Sequence, residues 1–180
     1  MGARKYTIAG SMLVPTDCTG LCIVEIGSER GEGSTAFLAE TASRLGMAFY
    51  TIDFDSAQAD AATSICARFA NPNILAFHMT GEDFLTNVFP KLGKQIFFLY
   101  LDNFDFIYDG IVGQCNDLIS RYAELGTKMN NENSKDAHLR QAELALPFTY
   151  EGSIILCDDT FKRGGFVGRK ECICGSLSSL

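Results

Sequence analysis

Tryptophan is absent from this chain, and proline and histidine are scarce, with 4 and 2 copies in 180 residues. Basic residues are also in short supply, 15 against 22 acidic ones, which leaves a formal net charge of -7. That balance, with a pI near 4.8, argues against broad contact with nucleic-acid phosphate and favours small molecules or proteins as substrates. No apolar run is long enough to span a bilayer, so no membrane partner is expected. The stretch from Arg4 to Pro15 is too short and polar-interrupted for a signal peptide and has no clear small-residue cleavage site. Tyr6 stands where a myristoylation signal needs Ser or Thr. A cytoplasmic location is the expectation.

Among the 7 cysteines, no pair shows the two-residue spacing usual in zinc sites. Cys18 with Cys22 and Cys172 with Cys174 would bind zinc only if the fold joined them. Cys66, Cys115 and Cys157 fall at apolar positions and are expected to be reduced, small core residues. The composition, 47% hydrophobic and 21% charged, suits one domain over residues 1–180 with a substantial core.

Apolar strands alternate with helical patterns along most of the chain. Strands are expected over residues 21–26, 47–53, 73–78, 96–102 and 153–158. Between them, Phe37, Leu38, Thr41, Ala42 and Leu45 repeat at helical spacing until Gly46. Further helical runs follow through Ala62 to Phe69, Phe84 to Phe89 and Ile111 to Leu125, and a last one from about Ser134 to Leu146 stops at Pro147. Such alternation predicts an α/β fold, a mostly parallel sheet covered on both faces in three layers. Four of the strands end in carboxylates.

The first strand leads into a glycine-rich turn, Gly27-Ser-Glu-Arg-Gly31-Glu-Gly33, and Ser34 is placed to cap the next helix, whose free N–H groups point at a ligand. Asp53 closes the second strand about 20 residues after the last glycine, the position of an acid that takes ribose hydroxyls. The outline is that of a site for a ribose-bearing ligand. Gly33 is followed by Ser34 where a P-loop has Lys, which disfavours triphosphate binding of that kind. Glu25, Glu29 and Glu32 outnumber Arg30, a balance that repels a pyrophosphate and suits a sulfonium and an α-amino group.

These residues resemble the class I S-adenosylmethionine-dependent methyltransferases, whose acidic-x-Gly motif matches Glu25-x-Gly27 and whose ribose-binding acid matches Asp53. The resemblance spans roughly residues 20 to 160. It implies a Rossmann-like sandwich, a cofactor-binding half over about 20–95, an acceptor half over about 96–165 and an irregular tail over 166–180. It also implies cofactor contacts from Glu25, Gly27, Ser28, Gly31, Gly33, Ser34 and Asp53, with Glu82 or Asp83 near the adenine amino group. The glycine spacing also resembles that of short-chain dehydrogenases, which bind NAD(P), but none of the 6 tyrosines has the required Lys four positions on.

At the carboxyl ends of the fourth and fifth strands, Asp102, Asp158 and Asp159 resemble the metal site of cation-dependent O-methyltransferases. That site would take a divalent cation such as Mg, although the family has Asn where this chain has Asp159. The resemblance implies methyl transfer to a small-molecule oxygen nucleophile, with Asp102 and His138 as candidate catalytic groups. His138 shares a helix face with Ala142, Ala145 and Leu146, which equally suits packing. Tyr100, Phe104 and Tyr108 are candidates for the acceptor pocket, and His78 for a place near the adenine.

Only 23 residues follow Cys157, while two closing strands in a sheet of this kind need about 40. The C-terminal strands are therefore expected to be shortened or missing. A partly open fifth strand invites pairing with a second copy of the chain, or a non-catalytic cofactor-binding or assembly role.

Overall fold

The computed structural model of the protein describes residues 6–9, 12–28, 33–103, 116–124 and 126–158. Two strands, β1 (Tyr6–Ala9) and β2 (Met12–Pro15), form an antiparallel hairpin that the sequence patterns do not signal. The main sheet is built from β3 (Leu21–Ile26), β4 (Ala48–Asp53), β5 (Ile74–His78), β6 (Gln95–Leu101) and β7 (Ile154–Cys157). Its order is β5-β4-β3-β6-β7 and every neighbouring pair is parallel. The expected α/β, Rossmann-like architecture is what the chain adopts.

Helices α1 (Ser34–Leu45) and α2 (Ser56–Cys66) cover one face. The other face carries the short α3 (Gly81–Asp83), which continues as a π-turn over Phe84–Val88 and a 3-10 turn over Phe89–Leu92, and α5 (Asn131–Ala145). Helix α4 (Asn116–Glu124) precedes α5. Because strand side chains alternate between faces, β3 feeds two cores. Leu21 and Ile23 pack with Leu38, Ala42 and Phe49, while Cys22, Val24 and Ile26 pack with Phe84, Phe89 and Ala142. Both sides of β3 are buried, which explains its nearly unbroken apolar run.

Two helix boundaries and one face differ from expectation. Gly33, not Ser34, occupies the cap position of α1, and no side chain caps it. Phe37 is 63% exposed, since the apolar stripe of α1 centres on Leu38, Ala39 and Ala42. Helix α5 starts at Asn131, ahead of the expected Ser134, because the Asn130 side chain accepts a hydrogen bond from the Asn133 N–H at 2.7 Å and caps the helix there. Gly46 ends α1 in the left-handed conformation, as expected.

Strand β7 is an edge strand among the described residues, with Ile154 38% and Leu156 47% exposed. No helix among the described residues is long and apolar enough to cross a membrane.

Candidate functional site

Strand order reverses between β3 and β6, and the backbones there meet at Gly27. Its φ is 98°, and a Cβ at that position would lie 2.5 Å from the Asn103 nitrogen. The Gly27 N–H donates to the Ile52 carbonyl at 2.8 Å, and the Asp102 N–H to the Ile26 carbonyl at 2.8 Å. Only glycine fits this junction, which ties together the carboxyl ends of β3, β4 and β6.

Directly after it, Ser28 turns both its N–H and its hydroxyl to one oxygen of Asp53, at 2.9 and 3.1 Å. The other Asp53 oxygen accepts the Asp55 N–H at 2.9 Å. A carboxylate offers about four acceptor positions, so roughly one is left for a ligand. Burial pushes the Asp53 carboxyl above its ordinary value, against these hydrogen bonds, which favour the charge.

Glu25 lies deeper, fully buried on the α1 face of the sheet. One of its oxygens accepts hydrogen bonds from the Thr35 and Thr51 hydroxyls, both at 2.7 Å. The other accepts none among the described residues, although the nearby Ser34 hydroxyl also favours the charged form. Burial raises this carboxyl as well, and the neighbouring Asp53 adds to the effect.

On the opposite face, a cavity of about 430 Å³ opens between the ends of β4 and β5 and the first half of α5. Such a volume is within the range of small-ligand pockets. Asp53 and Glu82 stand in its wall with Phe54, Met79 and Asn103, and α5 contributes Asn133, Asp136, Ala137 and Arg140. The Phe54 ring is backed by Tyr122 of α4, with ring centroids 5.7 Å apart. Asn103 is only 9% exposed, and its Oδ1 accepts no hydrogen bond among the described residues. Gln141 donates to Glu82 at 3.1 Å, while its own buried Oε1 is likewise unmatched. Gly81 lets α3 and α5 approach, since a Cβ there would sit 2.6 Å from the Ile26 Cγ2 and 3.1 Å from the Gln141 Cδ.

The chain matches no protein-family profile and no curated protein. Among solved structures it overlays TrmN from Thermus thermophilus at 14% identity, with a TM-score of 0.44, over 77% of this chain and 32% of that one. The chain thus spans about a third of that protein's length. The functional reading rests on the site itself.

Of the residues expected to bind a cofactor, Asp53 and Glu82 share the cavity wall, and Gly27 and Ser28 adjoin it. Gly33 and Ser34 open α1, and Gly31 lies outside the described residues. Asp83 turns back to its own helix start, where its carboxylate accepts from the Thr80 hydroxyl at 2.8 Å and its N–H donates to that oxygen at 3.1 Å. Glu82 lines the cavity and Asp83 does not.

His138 requires a correction as a catalytic candidate. It is fully buried on the inner face of α5, with Nδ1 2.6 Å from the Ser134 carbonyl, and it does not line the cavity. A general base must reach the proton it removes, and this ring reaches only protein. His78 places Nε2 3.1 Å from the Phe54 carbonyl and so braces the ring in the wall.

Asp102 and Asp158 follow the paired residues Leu101 and Cys157 on adjacent strands, and the Asp158 N–H donates to the Leu101 carbonyl at 2.9 Å. Burial, then the charges of Asp102 and Asp158, hold the Tyr100 phenol above its ordinary value. Among the described residues no group of three or more His, Cys, Asp or Glu is arranged to hold a metal. Asp159, the third expected ligand, lies outside them, as do Phe104, Tyr108, Cys115, Cys172 and Cys174. The described donors therefore do not by themselves fit a divalent cation.

Sequence reasoning missed the α5 wall. Asn133, Asp136, Ala137 and Arg140 are spaced i, i+3, i+4, i+7, a polar stripe that a sequence presents as solvent-facing. Asn103, next to the expected Asp102, carries no motif that marks it as part of the wall.

Proposed function

We propose that the chain binds S-adenosylmethionine in this cavity and passes its methyl group to a small-molecule oxygen nucleophile. The observation that carries the reading is the pair Asp53 and Glu82 in one cavity wall at the reversal of strand order, with Phe54 between them in sequence as a flat apolar surface. Asp53 would take a ribose hydroxyl at its remaining acceptor position. Glu82 and the unmatched Asn103 Oδ1 suit the amino group of a base, and acids around the strand ends suit a cationic donor.

The cofactor supplies an electrophilic methyl group, which leaves a positively charged sulfur. The protein aligns the acceptor oxygen in line with that bond and removes the acceptor's proton. Asp102, which does not itself line the cavity but precedes the wall residue Asn103, is the group proposed to receive it. The acidic chain as a whole supports a small acceptor over a polyphosphate one.

Titration calorimetry with S-adenosylhomocysteine and with NADP tests the proposal. Binding of the former and indifference to the latter is expected; the reverse overturns it in favour of a dehydrogenase-like role. The exposed edge of β7 favours a second reading, a binding or assembly module that takes the cofactor without turnover. Binding with no methyl transfer across a panel of acceptors would select that reading.

A further inference from the structure

Glu25 occupies the place where the resemblance implies a cofactor contact, yet it is fully buried and is not part of the cavity wall. Its connections run elsewhere. The Thr35 hydroxyl, 2.7 Å from the Glu25 carboxylate, also lies 3.2 Å from the Ser28 carbonyl, so its single proton is shared between the two. Ser28 in turn holds Asp53 with both its N–H and its hydroxyl. Thr51 of β4 fixes the same Glu25 oxygen from the other side. The members of this connection come from β3, the turn after it, α1 and β4, and all are buried.

We propose that Glu25 is a positioning residue, which sets the orientation of the cavity carboxylate Asp53 through Thr35 and Ser28 and does not itself touch the ligand. The proposal deepens the reading of this cavity as a cofactor site and rests on it for its functional meaning, but the connection exists without ligand. Glu25 anchors the first turn of α1 to the sheet, because Thr35 is the second residue of that helix and no side chain caps it. Ser28 is thereby held between the helix and Asp53. Removing the Thr35 hydroxyl frees the Ser28 carbonyl, lets Ser28 drift, and strips Asp53 of hydrogen bonds that favour its charge.

The test compares Thr35→Val with Thr35→Ser in the ligand-free protein by amide hydrogen exchange and carboxylate NMR. In Thr35→Val, exchange at the Ser28 N–H is expected to rise about tenfold, as for loss of one hydrogen bond's worth of protection, and the Asp53 titration midpoint to move up. Thr35→Ser, which restores the hydroxyl, is expected to behave as the parent. Thr35→Ala replaces the valine variant if that one does not fold. Glu25→Leu, which leaves the Thr35 hydroxyl in place, is expected to raise Ser28 exchange as well; unchanged Ser28 exchange in Glu25→Leu or in the hydroxyl-less variant overturns the proposal, as does equal disturbance in Thr35→Ser, which would assign the effect to packing. S-adenosylhomocysteine affinity is measured in parallel. Failure of the parent protein to bind it sinks the cofactor reading, while the exchange data still decide on the connection.

Discussion

The two sides of the strand-order reversal treat their polar groups in opposite ways. On the α1 side, Glu25, Thr35, Thr51, Ser28 and Asp53 are joined to one another by hydrogen bonds, and only the second Glu25 oxygen of this group has no donor among the described residues. On the α5 side, Asn103 Oδ1 and Gln141 Oε1 are buried acceptors with no donor among the described residues. A buried acceptor left unmatched costs about 1 to 3 kcal/mol, so a protein retains one where a ligand or solvent supplies the donor. The α1 side is the more fully connected, and the unmatched acceptors of the α5 side belong to or adjoin the cavity wall. The Asp53 carboxylate belongs to both, since it is bound by Ser28 and yet faces the cavity.

The most severe way to break this contrast is Gly27→Ala, which places a methyl group against the backbone at residues 102 and 103 and forces a left-handed conformation on alanine. A loss of about 2 to 4 kcal/mol in folding stability is expected from strain and displaced backbone, measured by urea denaturation. Asp53→Ala comes next. It should weaken S-adenosylhomocysteine binding by about 1 to 3 kcal/mol through the loss of charged hydrogen bonds, and unchanged calorimetric affinity would remove Asp53 from the site.

A paired comparison then sharpens the division. Thr51→Val removes a hydroxyl that is already committed and should cost about 1 kcal/mol of stability with little effect on affinity. Asn103→Ala removes an uncommitted acceptor and should do the opposite, weakening ligand binding by roughly 1 kcal/mol while leaving thermal stability nearly intact. Equal stability losses in the two variants would erase the distinction.

The smallest effect concerns pH. Burial raises Asp53 and Glu25 above their ordinary values of 3.8 and 4.5, so the folded chain holds these protons more tightly than the unfolded one. Their contribution to stability is therefore greatest below those values and declines as pH rises through the raised ones. Glu25→Gln should flatten that decline between mildly acidic and neutral pH in thermal denaturation. A parental slope in the variant would place its origin outside Glu25.

What the sequence disclosed, and what it withheld, follows from the range of the interactions. The sheet strands, Gly46 and the acid at the end of β4 depend on local patterning, and all were legible. The exposed Phe37 was not, because periodicity marks a stripe on a helix without fixing its centre. The Glu25 connection links residues 10 and 26 positions apart, and hydroxyls at such distances carry no pattern. The α5 face toward the cavity carries no signal of its own for a related reason: a helix face that lines a cavity has the composition of one that meets water. Asp83 and Glu82, adjacent and alike in charge, were separable only once the Thr80 cap was seen.

Gly81 carries one last consequence. With hydrogen where another residue would place a methyl, it acts as the thinnest possible shim between α5 and the end of β3. A methyl group there would have to displace the Ile26 and Gln141 side chains, and Ile26 and Gly81 both line the pocket, so the packing of its floor depends on a single atom that the chain does without.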